Sequence, residues 1–342
     1  MIAPDKGRDV MKAMVIDRFG GPEEFRVADL PVPEPAAEQV LIRVAFASIN
    51  PADWKTRAGL LPVVRGPFPM VVGMDCAGVI EAVGPGVTAF APGDKVIAMS
   101  GLGQGMSGSY AEYACVPEMR VLKLPSALTL AEGATIPTAS ASAASTIIEV
   151  AKVAPGSTVF FSGGAGSVGT FGVQYLKWIG CRVATTCSTR NVDHVAGLGA
   201  DRVIDYTKED TKAALAEWAP DGIDVVIDAV GQHSLPADIV DVIKPGGVLV
   251  VIQNLLTDVE AYDLDSAKAR GIRVVNNIMD ARKPDARWFQ VEAWRELVKG
   301  IEAGAIRTPP YAVLPLEQAG EGQRRVEDGH VRGKILLEVA GE

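Results

Sequence analysis

The sequence predicts an α/β protein with two domains, a compact antiparallel β domain and a doubly wound parallel sheet. A chain of 342 residues is longer than one compact core usually needs. Short strand-like runs separated by Gly and Pro turns fill the first third of the chain. From about residue 131, strands and helices alternate, which is typical of a parallel sheet covered on both faces.

The β domain is predicted from short, strongly β-forming segments. These segments are 40–45, 79–84, 94–98 and, in the tail, 333–339. Because the Pro-rich tail has the same strand-like, β-forming pattern as the first third of the chain, we expect a discontinuous domain over residues 11–133 and 304–342. The polar residues 1–10 are expected to form a disordered tail.

The α/β domain is predicted over residues 134–303. A helix entered at Pro137 begins it. The predicted strands are 158–161, 182–186, 201–205, 224–228, 248–252 and 273–277. After the first strand, an apolar stripe at helical spacing predicts an amphipathic helix, formed by Val168, Phe171, Tyr175 and Ile179.

Charge and hydropathy exclude two classes of partner. A formal net charge of −9 argues against nucleic acid, because phosphate binding needs a cationic face. No apolar run approaches the roughly 20 residues that span a bilayer, and the first residues contain no signal-peptide core. We therefore expect a cytoplasmic protein that acts on a small molecule. Its scattered cysteines are expected to be buried thiols: Cys76, Cys115, Cys181 and Cys187.

A glycine-rich segment, 162–169, is the strongest chemical signal. It contains G-x-G-x-x-G directly after a predicted strand and before a predicted helix. In order, such glycines permit a tight turn, the approach of a pyrophosphate, and packing of the helix on the strand. Helix N–H groups then face the phosphates. The predicted dinucleotide site comprises Gly164, Ala165, Gly166, Ser167, Val168 and Gly169; the alternative is a turn that binds nothing.

The end of the second strand of this domain indicates which nucleotide binds. An NAD site usually has Asp or Glu about 20 residues after the glycines, on the ribose 2′-OH. Here no carboxylate occurs before Asp193, and Ser188 and Arg190 are present instead. Since Arg grips a phosphate bidentately, these residues predict a 2′-phosphate site and NADPH as cofactor. Ser188 or Thr189 could equally cap the next helix.

Several landmarks resemble the medium-chain dehydrogenase/reductase superfamily, specifically its zinc-independent quinone oxidoreductase branch. They are 50–55 (NPADWK), 73–78 (GMDCAG), 83–87 (VGPGV), 92–96 (PGDKV), 108–113 (GSYAEY), the glycine loop and 244–247 (KPGG). The resemblance covers nearly the whole chain from Met11. It implies a GroES-like β domain plus a Rossmann domain, with the active site between them. It also implies a homodimer formed through an edge strand of the Rossmann sheet, here 273–277.

The resemblance also implies further cofactor contacts. Arg190 and Tyr206 would flank the adenosine phosphate, and Val230 would lie on the nicotinamide side. Further contacts are implied for Ser142, Gln253, Asn254 and Lys334.

Zinc-dependent relatives carry a Cys near position 50 and a His in a Gly-His-Glu motif. This chain has Asn50 and Met74 there, without a thiol or an imidazole. Thiolate and imidazole ligands dominate zinc sites, so we expect no metal.

Without a metal, hydride transfer is easiest to an acceptor that delocalises charge, such as a quinone or an α,β-unsaturated carbonyl. The protein must then offer hydrogen-bond donors to the acceptor oxygen. The candidates are Asn50, Lys55 and Arg57, although the last two could be solvated surface residues. Asp53 could orient Lys55 or cap the following turn.

Two other functions are compatible with the sequence. One is reduction of a 2-enoyl thioester, which would need room and positive charge for a phosphopantetheine or CoA arm. The other is a non-catalytic NADPH-binding protein that acts as a sensor or structural component.

Overall fold

The computed structural model describes residues 10–61, 64–101, 108–231, 234–252, 259–277, 291–329 and 331–340. The described residues form two compact units. The β unit runs to Thr138 and resumes at Pro310, and the α/β unit runs from Ala139 to Pro309. The corresponding boundaries predicted from the sequence are 133/134 and 303/304. Of the predicted tail at 1–10, only Val10 lies among the described residues, and it belongs to the first strand.

The described part of the β unit contains a three-stranded and a seven-stranded sheet. Its strands are β1 (Val10–Ile16), β2 (Phe25–Pro31), β3 (Gln39–Ser48), β4 (Met70–Val71), β5 (Asp75–Val83), β6 (Lys95–Met99), β7 (Tyr113–Pro117), β8 (Val121–Lys123), β15 (Tyr311–Pro315) and β16 (Lys334–Glu338). The small sheet has the order β2-β1-β4, and the large one β15-β16-β3-β5-β6-β8, with β7 paired to β3. All pairs are antiparallel except β15 with β16.

Long-range pairing in the large sheet brings distant polar residues together. The start of β16 lies beside the end of β3, with Leu336 opposite Ser48. The start of β5 lies on the other side, with Asp75 also opposite Ser48. The helices of this unit are α1 (Pro51–Arg57), α2 (Leu130–Ala134) and α9 (Ala319–Glu327). The N-terminus of α1 therefore begins where three strands meet.

The α/β unit contains a parallel sheet with the strand order β11-β10-β9-β12-β13-β14. Its strands are β9 (Thr158–Phe161), β10 (Arg182–Cys187), β11 (Arg202–Asp205), β12 (Ile223–Asp228), β13 (Ile243–Ile252) and β14 (Arg273–Asn277). The chain passes outward from β9 to β11 and then returns to β12 on the other side of β9. This reversal is the switch point where doubly wound sheets bind ligands, at the carboxyl ends of the strands.

Helices accompany the parallel strands. They are α4 (Ser167–Trp178), α5 (Val192–Ala196), α6 (Thr211–Trp218), α7 (Leu264–Ala269) and α8 (Val291–Glu302). Helix α3 (Pro137–Ala144) begins at the predicted Pro137 and continues into a π-helical segment at Ser145–Val150. Residues 169–176 of α4 are all buried, a wider face than the predicted stripe, because α4 packs on β9, β10 and α8. The predicted α/β class with one antiparallel and one parallel unit is confirmed.

No helix among the described residues is long and apolar enough to cross a membrane.

Candidate cofactor and active site

The glycine-rich loop joins β9 to α4 and is held by the next strand. Gly163 has φ 71°, a left-handed conformation that favours glycine. Its N–H donates to Thr186 Oγ1 at 3.0 Å, and the Gly164 N–H donates to the Thr186 carbonyl at 2.9 Å. Thr186, near the end of β10, therefore anchors the loop at two consecutive residues.

The first turn of α4 is a cradle for an anion. Gly166 precedes the helix and carries no side chain that could cap it. The N–H groups of Ser167, Val168 and Gly169 are the first of the helix and therefore have no acceptor within it. Unpaired N–H groups and the positive end of the helix dipole attract phosphate. The loop therefore fits the pyrophosphate of a dinucleotide.

Two glycines have roles that differ from the sequence-based expectation. The left-handed turn is at Gly163, outside the G-x-G-x-x-G pattern, and not at Gly164. A Cβ on Gly169 would lie 2.2 Å from the Gly163 carbonyl oxygen, so Gly169 lets the helix pack on its own loop. The close approach of helix to strand occurs at Gly172, where a Cβ would lie 2.4 Å from the Phe161 ring.

Three predicted adenosine-side residues lie at the carboxyl ends of neighbouring strands. Ser188 and Arg190 follow β10, and Tyr206 follows β11, with Cys187 and Asp205 opposite each other in register. Arg190 is exposed, and Tyr206 is 51% exposed. A phosphate at this edge could meet the guanidinium and the Ser188 hydroxyl, which also accepts from Asn191 Nδ2 at 3.2 Å.

Asp205, which the sequence analysis did not consider, lies at the same edge. Its carboxylate accepts from Thr189 Oγ1 at 2.6 Å and from Thr207 Oγ1 at 2.7 Å. These hydrogen bonds lower the pKa of Asp205 to about 2, so its carboxylate is ionised. Because both oxygens are already occupied by threonine donors, Asp205 organises the two loops and its charge is partly compensated.

The remaining predicted cofactor residues of the α/β unit are placed as follows. Val230 follows β12 and is 47% exposed, so it is accessible to a ligand at the switch point. Ser142 is half-buried on α3, and no described hydrogen bond joins it to the glycine loop. Gln253 and Asn254 lie outside the described residues.

A buried polar cluster surrounds Asp75 in the β unit. The Asp75 carboxylate accepts from Asn50 Nδ2 at 2.9 Å, from Ser48 Oγ at 3.3 Å and from Thr138 Oγ1 at 2.6 Å. Lys334 Nζ lies 3.6 Å from the same carboxylate. Ser48, Asn50, Asp75 and Lys334 are each at most 3% exposed. The cluster joins β3, β5, β16 and the start of α3.

Lys334, for which the resemblance implies a cofactor contact, lies in this buried cluster. Its ammonium donates to Asn50 Oδ1 and to Ser48 Oγ, and it faces Asp75 within the β unit. Burial lowers the pKa of Lys334, whereas the nearby carboxylates of Asp75 and Asp53 oppose this effect. With two hydrogen bonds and an ion pair to Asp75, Lys334 belongs to the buried cluster.

Asn50 and Asp53 are committed to the same region. The Asn50 amide is engaged by Asp75 and Lys334, and its backbone N–H donates to Asp53 Oδ2 at 2.7 Å. Tyr110 Oη donates to the same oxygen at 3.2 Å. Burial raises the pKa of Asp53 to about 7 despite these hydrogen bonds. Of the two roles considered for Asp53, the structure therefore shows the capping of α1.

Lys55 differs from the other candidates because its ammonium has no carboxylate partner within the described part of the chain. The residue is only 4% exposed, and Nζ lies 5.4 Å from the centre of the Trp54 ring. Burial lowers the pKa of Lys55 to about 8. No ion pair among the described residues includes it. Lys55 is therefore a nearly buried ammonium with a lowered pKa, not a solvated surface lysine.

Arg57 is a structural residue and not the substrate donor we expected. It is 1% exposed. Its Nε donates to Gln323 Oε1 at 2.8 Å, Nη1 to the Gly20 carbonyl at 3.1 Å, and Nη2 to Glu327 Oε2 at 2.6 Å. These contacts tie α1 to α9 and leave the guanidinium engaged on every side.

The donor set of the cluster does not fit zinc. The two positions that carry Cys and His in zinc-dependent relatives hold Asn50 and a buried Met74. The ammonium of Lys334 already occupies the acceptors that a cation would need. Across the described ranges, no three His, Cys, Asp or Glu side chains converge as metal ligands.

Sequence reasoning missed Asp75, Thr138 and Tyr110. Asp75 and Tyr110 lie within landmarks that were recognised, 73–78 and 108–113, but a landmark does not show which side chain points inward. Several of their contacts join residues more than 50 positions apart, as for Asp75 with Thr138 and Tyr110 with Asp53.

Two families and several known proteins match the chain. Residues 36–126 match the alcohol dehydrogenase GroES-like domain, and residues 198–337 match a family described as zinc-binding dehydrogenase. The NADPH-dependent alkenal/one oxidoreductase of Arabidopsis thaliana chloroplasts is 32% identical over 337 residues, covering 96% of this chain and 79% of the relative. The human quinone oxidoreductase is 29% identical and covers 97% and 98%.

A solved structure agrees with these matches. The quinone oxidoreductase from Coxiella burnetii has a TM-score of 0.83 and 30% identity, covering 96% of this chain and 99% of the other. The two units therefore correspond to the GroES-like and Rossmann-type domains of such enzymes. The chain belongs to the medium-chain dehydrogenase/reductase superfamily of oxidoreductases, in the branch that contains the quinone oxidoreductases.

Proposed function

We propose that this protein is a zinc-independent, NADPH-dependent reductase of α,β-unsaturated carbonyls or quinones. The observation that carries the proposal is Lys55, a nearly buried ammonium without a carboxylate partner among the described residues. It lies in a unit whose polar cluster offers a poor set of zinc ligands. The names of the relatives, an alkenal/one oxidoreductase and a quinone oxidoreductase, support the same substrate class.

The α/β unit provides the cofactor site. The N–H groups of Ser167, Val168 and Gly169 bind the pyrophosphate, and the open position at Gly166 lets it approach the backbone. Ser188 and Arg190 hold the 2′-phosphate, and Tyr206 lies beside the adenosine. When bound, NADPH supplies the hydride.

The β unit provides the donor. Hydride addition to the β-carbon of an enone leaves negative charge on the carbonyl oxygen, which becomes an enolate. A donor aimed at that oxygen stabilises the developing charge most strongly where water is excluded. Lys55 offers this hydrogen bond and, with a pKa of about 8, can also pass a proton to the product at neutral pH. Asn50 and Asp53 are positioning residues that hold the first turn of α1, on which Lys55 stands.

The proposal is tested by measuring loss of NADPH absorbance with an alkenal, a vinyl ketone, a benzoquinone, crotonyl-CoA and, with NADP⁺, a primary alcohol. Turnover with the enones or the quinone supports the proposal. Turnover with crotonyl-CoA alone would instead indicate an enoyl-thioester reductase, and NADPH binding without turnover would indicate a sensor or structural protein. Stoichiometric zinc in the purified protein would contradict zinc independence. An affinity for NADH equal to that for NADPH would contradict NADPH specificity.

We also propose a homodimer in the cytoplasm, with β14 as the pairing edge. β14 is the last strand of the parallel sheet and has β13 on one side. A free sheet edge is prone to pair with another chain. Light scattering on the purified protein tests the dimer: the mass of one chain, 36.0 kDa, would exclude it.

A further inference from the structure

Asp228 is a fully buried carboxylate at the carboxyl end of β12. Its Oδ1 accepts from Ser162 Oγ at 2.8 Å and from the Val230 N–H at 3.1 Å. The Gly231 N–H lies 3.2 Å from Oδ1 and 3.1 Å from Oδ2. A single side chain therefore holds two successive N–H groups of the turn that follows the strand.

Two further donors complete the shell of this carboxylate. Ser234 Oγ donates to Oδ1 at 3.2 Å, and Tyr262 Oη donates to Oδ2 at 2.7 Å. Tyr262 is 5% exposed and packs in the core of the α/β unit. A buried carboxylate needs this many donors, because an unpaired charge in the interior is very costly.

Asp228 and its donors lie between two strand ends at the switch point of the parallel sheet. β9 and β12 are the neighbouring strands at the switch point, and Ser162 directly follows β9. Ser162 Oγ donates to Asp228 and accepts from the Ala229 N–H at 2.8 Å. The Ser162–Asp228 pair therefore bridges the two strand ends that flank the cofactor crevice.

The Ser162–Asp228 bridge also fixes the position of Val230. A Cβ built on Gly163 would lie 2.6 Å from Val230 Cγ2, so the valine side chain packs directly on the glycine loop. Val230 is held there because its own N–H and that of Gly231 bind Asp228. The turn and the glycine loop are therefore in direct contact.

We propose that Asp228 is a positioning residue for the nicotinamide half of the cofactor: it fixes the turn carrying Val230 against the glycine loop. This inference rests on the proposed binding of NADPH. Asp228→Asn keeps the size of the side chain but replaces one acceptor oxygen with an NH₂ group. At the Oδ2 position that group can donate to Tyr262 Oη, but the Gly231 N–H loses its shorter contact and all five donor groups lose a charged acceptor, so the turn is held less firmly against β9.

Asp224→Asn is a matched control on the same strand. Asp224 lies near the other end of β12, where its carboxylate accepts from the Thr158 N–H at 2.8 Å and from Lys244 Nζ at 2.7 Å. It therefore also bridges β12 to β9, but far from the carboxyl ends of the strands. Both variants remove one carboxylate from the same strand pair.

The test compares dissociation constants for NADPH and for 2′-AMP, measured by calorimetry on the full chain. 2′-AMP is expected to report only on the adenosine end, at β10 and β11. For Asp228→Asn we expect the Kd of NADPH to rise tenfold or more, while the Kd of 2′-AMP stays within twofold. For Asp224→Asn we expect both constants within twofold of the original protein.

Each outcome decides one question. An unchanged NADPH Kd in Asp228→Asn, or equal losses for NADPH and 2′-AMP, would overturn the positioning role. If the unmodified protein fails to bind NADPH, the proposed function fails instead. Should Asp228→Asn not fold, Ser162→Ala removes one bridge while leaving the other four donors, and the same selective loss of NADPH affinity is expected.

Discussion

Replacing Lys55 with Met should make the protein more stable and nearly inactive at the same time. Met has a similar length but no charge, so it can fill the space beside Trp54 without the desolvation that lowers the pKa of Lys55 from 10.5 to about 8. Each unit of pKa is worth about 1.4 kcal/mol, which sets an upper limit of about 3.5 kcal/mol on the desolvation penalty. The remaining solvent contact of Lys55 screens this penalty, so we expect Lys55→Met to raise the free energy of unfolding by about 1 to 2 kcal/mol at pH 7.

The sign follows from linkage. Because the pKa in the folded protein is below that in the unfolded chain, the penalty is fully present below pH 8. It disappears as the pH rises through 10.5, where the lysine is neutral in both states. The stability difference between the variant and the original protein should therefore shrink from pH 7 toward pH 10.5. Thermal unfolding measures it: about 2 to 4 °C at pH 7.

Activity should respond in the opposite direction. Loss of a positioned proton donor typically lowers the rate about 10²- to 10⁴-fold, so kcat for an enone should fall at least 100-fold. The original enzyme should lose kcat above pH 8 as Lys55 deprotonates. Lys55→Arg keeps the side-chain charge to higher pH, so it is the control for this loss of kcat above pH 8. The reasoning is refuted if Lys55→Met keeps its kcat, or if it is less stable than the original protein at pH 7.

Three further changes separate binding from structure. Arg190→Ala should raise the KM for NADPH at least tenfold and leave that for NADH within twofold; steady-state kinetics with both cofactors would refute the 2′-phosphate assignment if they changed together. Arg57→Met should cost about 2 to 4 kcal/mol in urea unfolding, because it leaves Glu327 and other acceptors unpaired, while kcat of the folded enzyme stays unchanged. Gly163→Ala should lower the free energy of unfolding by about 1 to 2 kcal/mol and weaken NADPH binding in calorimetry, because φ is 71° and the new methyl group would contact Val230. An unchanged NADPH affinity would show that the glycine loop accommodates the methyl group and would contradict this prediction.

The local patterns were sufficient to predict the α/β unit. Strand 273–277 has the predicted bounds, and the glycine segment lies between β9 and α4 as expected. Both depend on short-range regularities: the period of apolar residues and the conformational freedom of glycine. The individual roles of the glycines did not follow, because Gly163 and Gly172 are defined by contacts with Val230 and Phe161 from other elements.

The roles of the three predicted hydrogen-bond donors could not be derived from local patterns in the same way. Asn50, Lys55 and Arg57 were equivalent candidates in one short segment, yet the structure gives them three different environments. Arg57 pairs with Glu327, 270 residues away, and Asn50 with Lys334, 284 residues away. No local pattern encodes such pairings.

The sequence by itself therefore determined the fold class, the position of the dinucleotide loop and the set of candidate donors. Those features arise from neighbours along the chain, where spacing alone dictates the conformation. Only the tertiary structure decided that Arg57 and Lys334 are held inside the β unit, that Lys55 is nearly buried without a carboxylate partner among the described residues, and that Asp228 joins two strand ends. Burial and electrostatics depend on which distant groups share a low-dielectric space, and the folded chain alone establishes that arrangement.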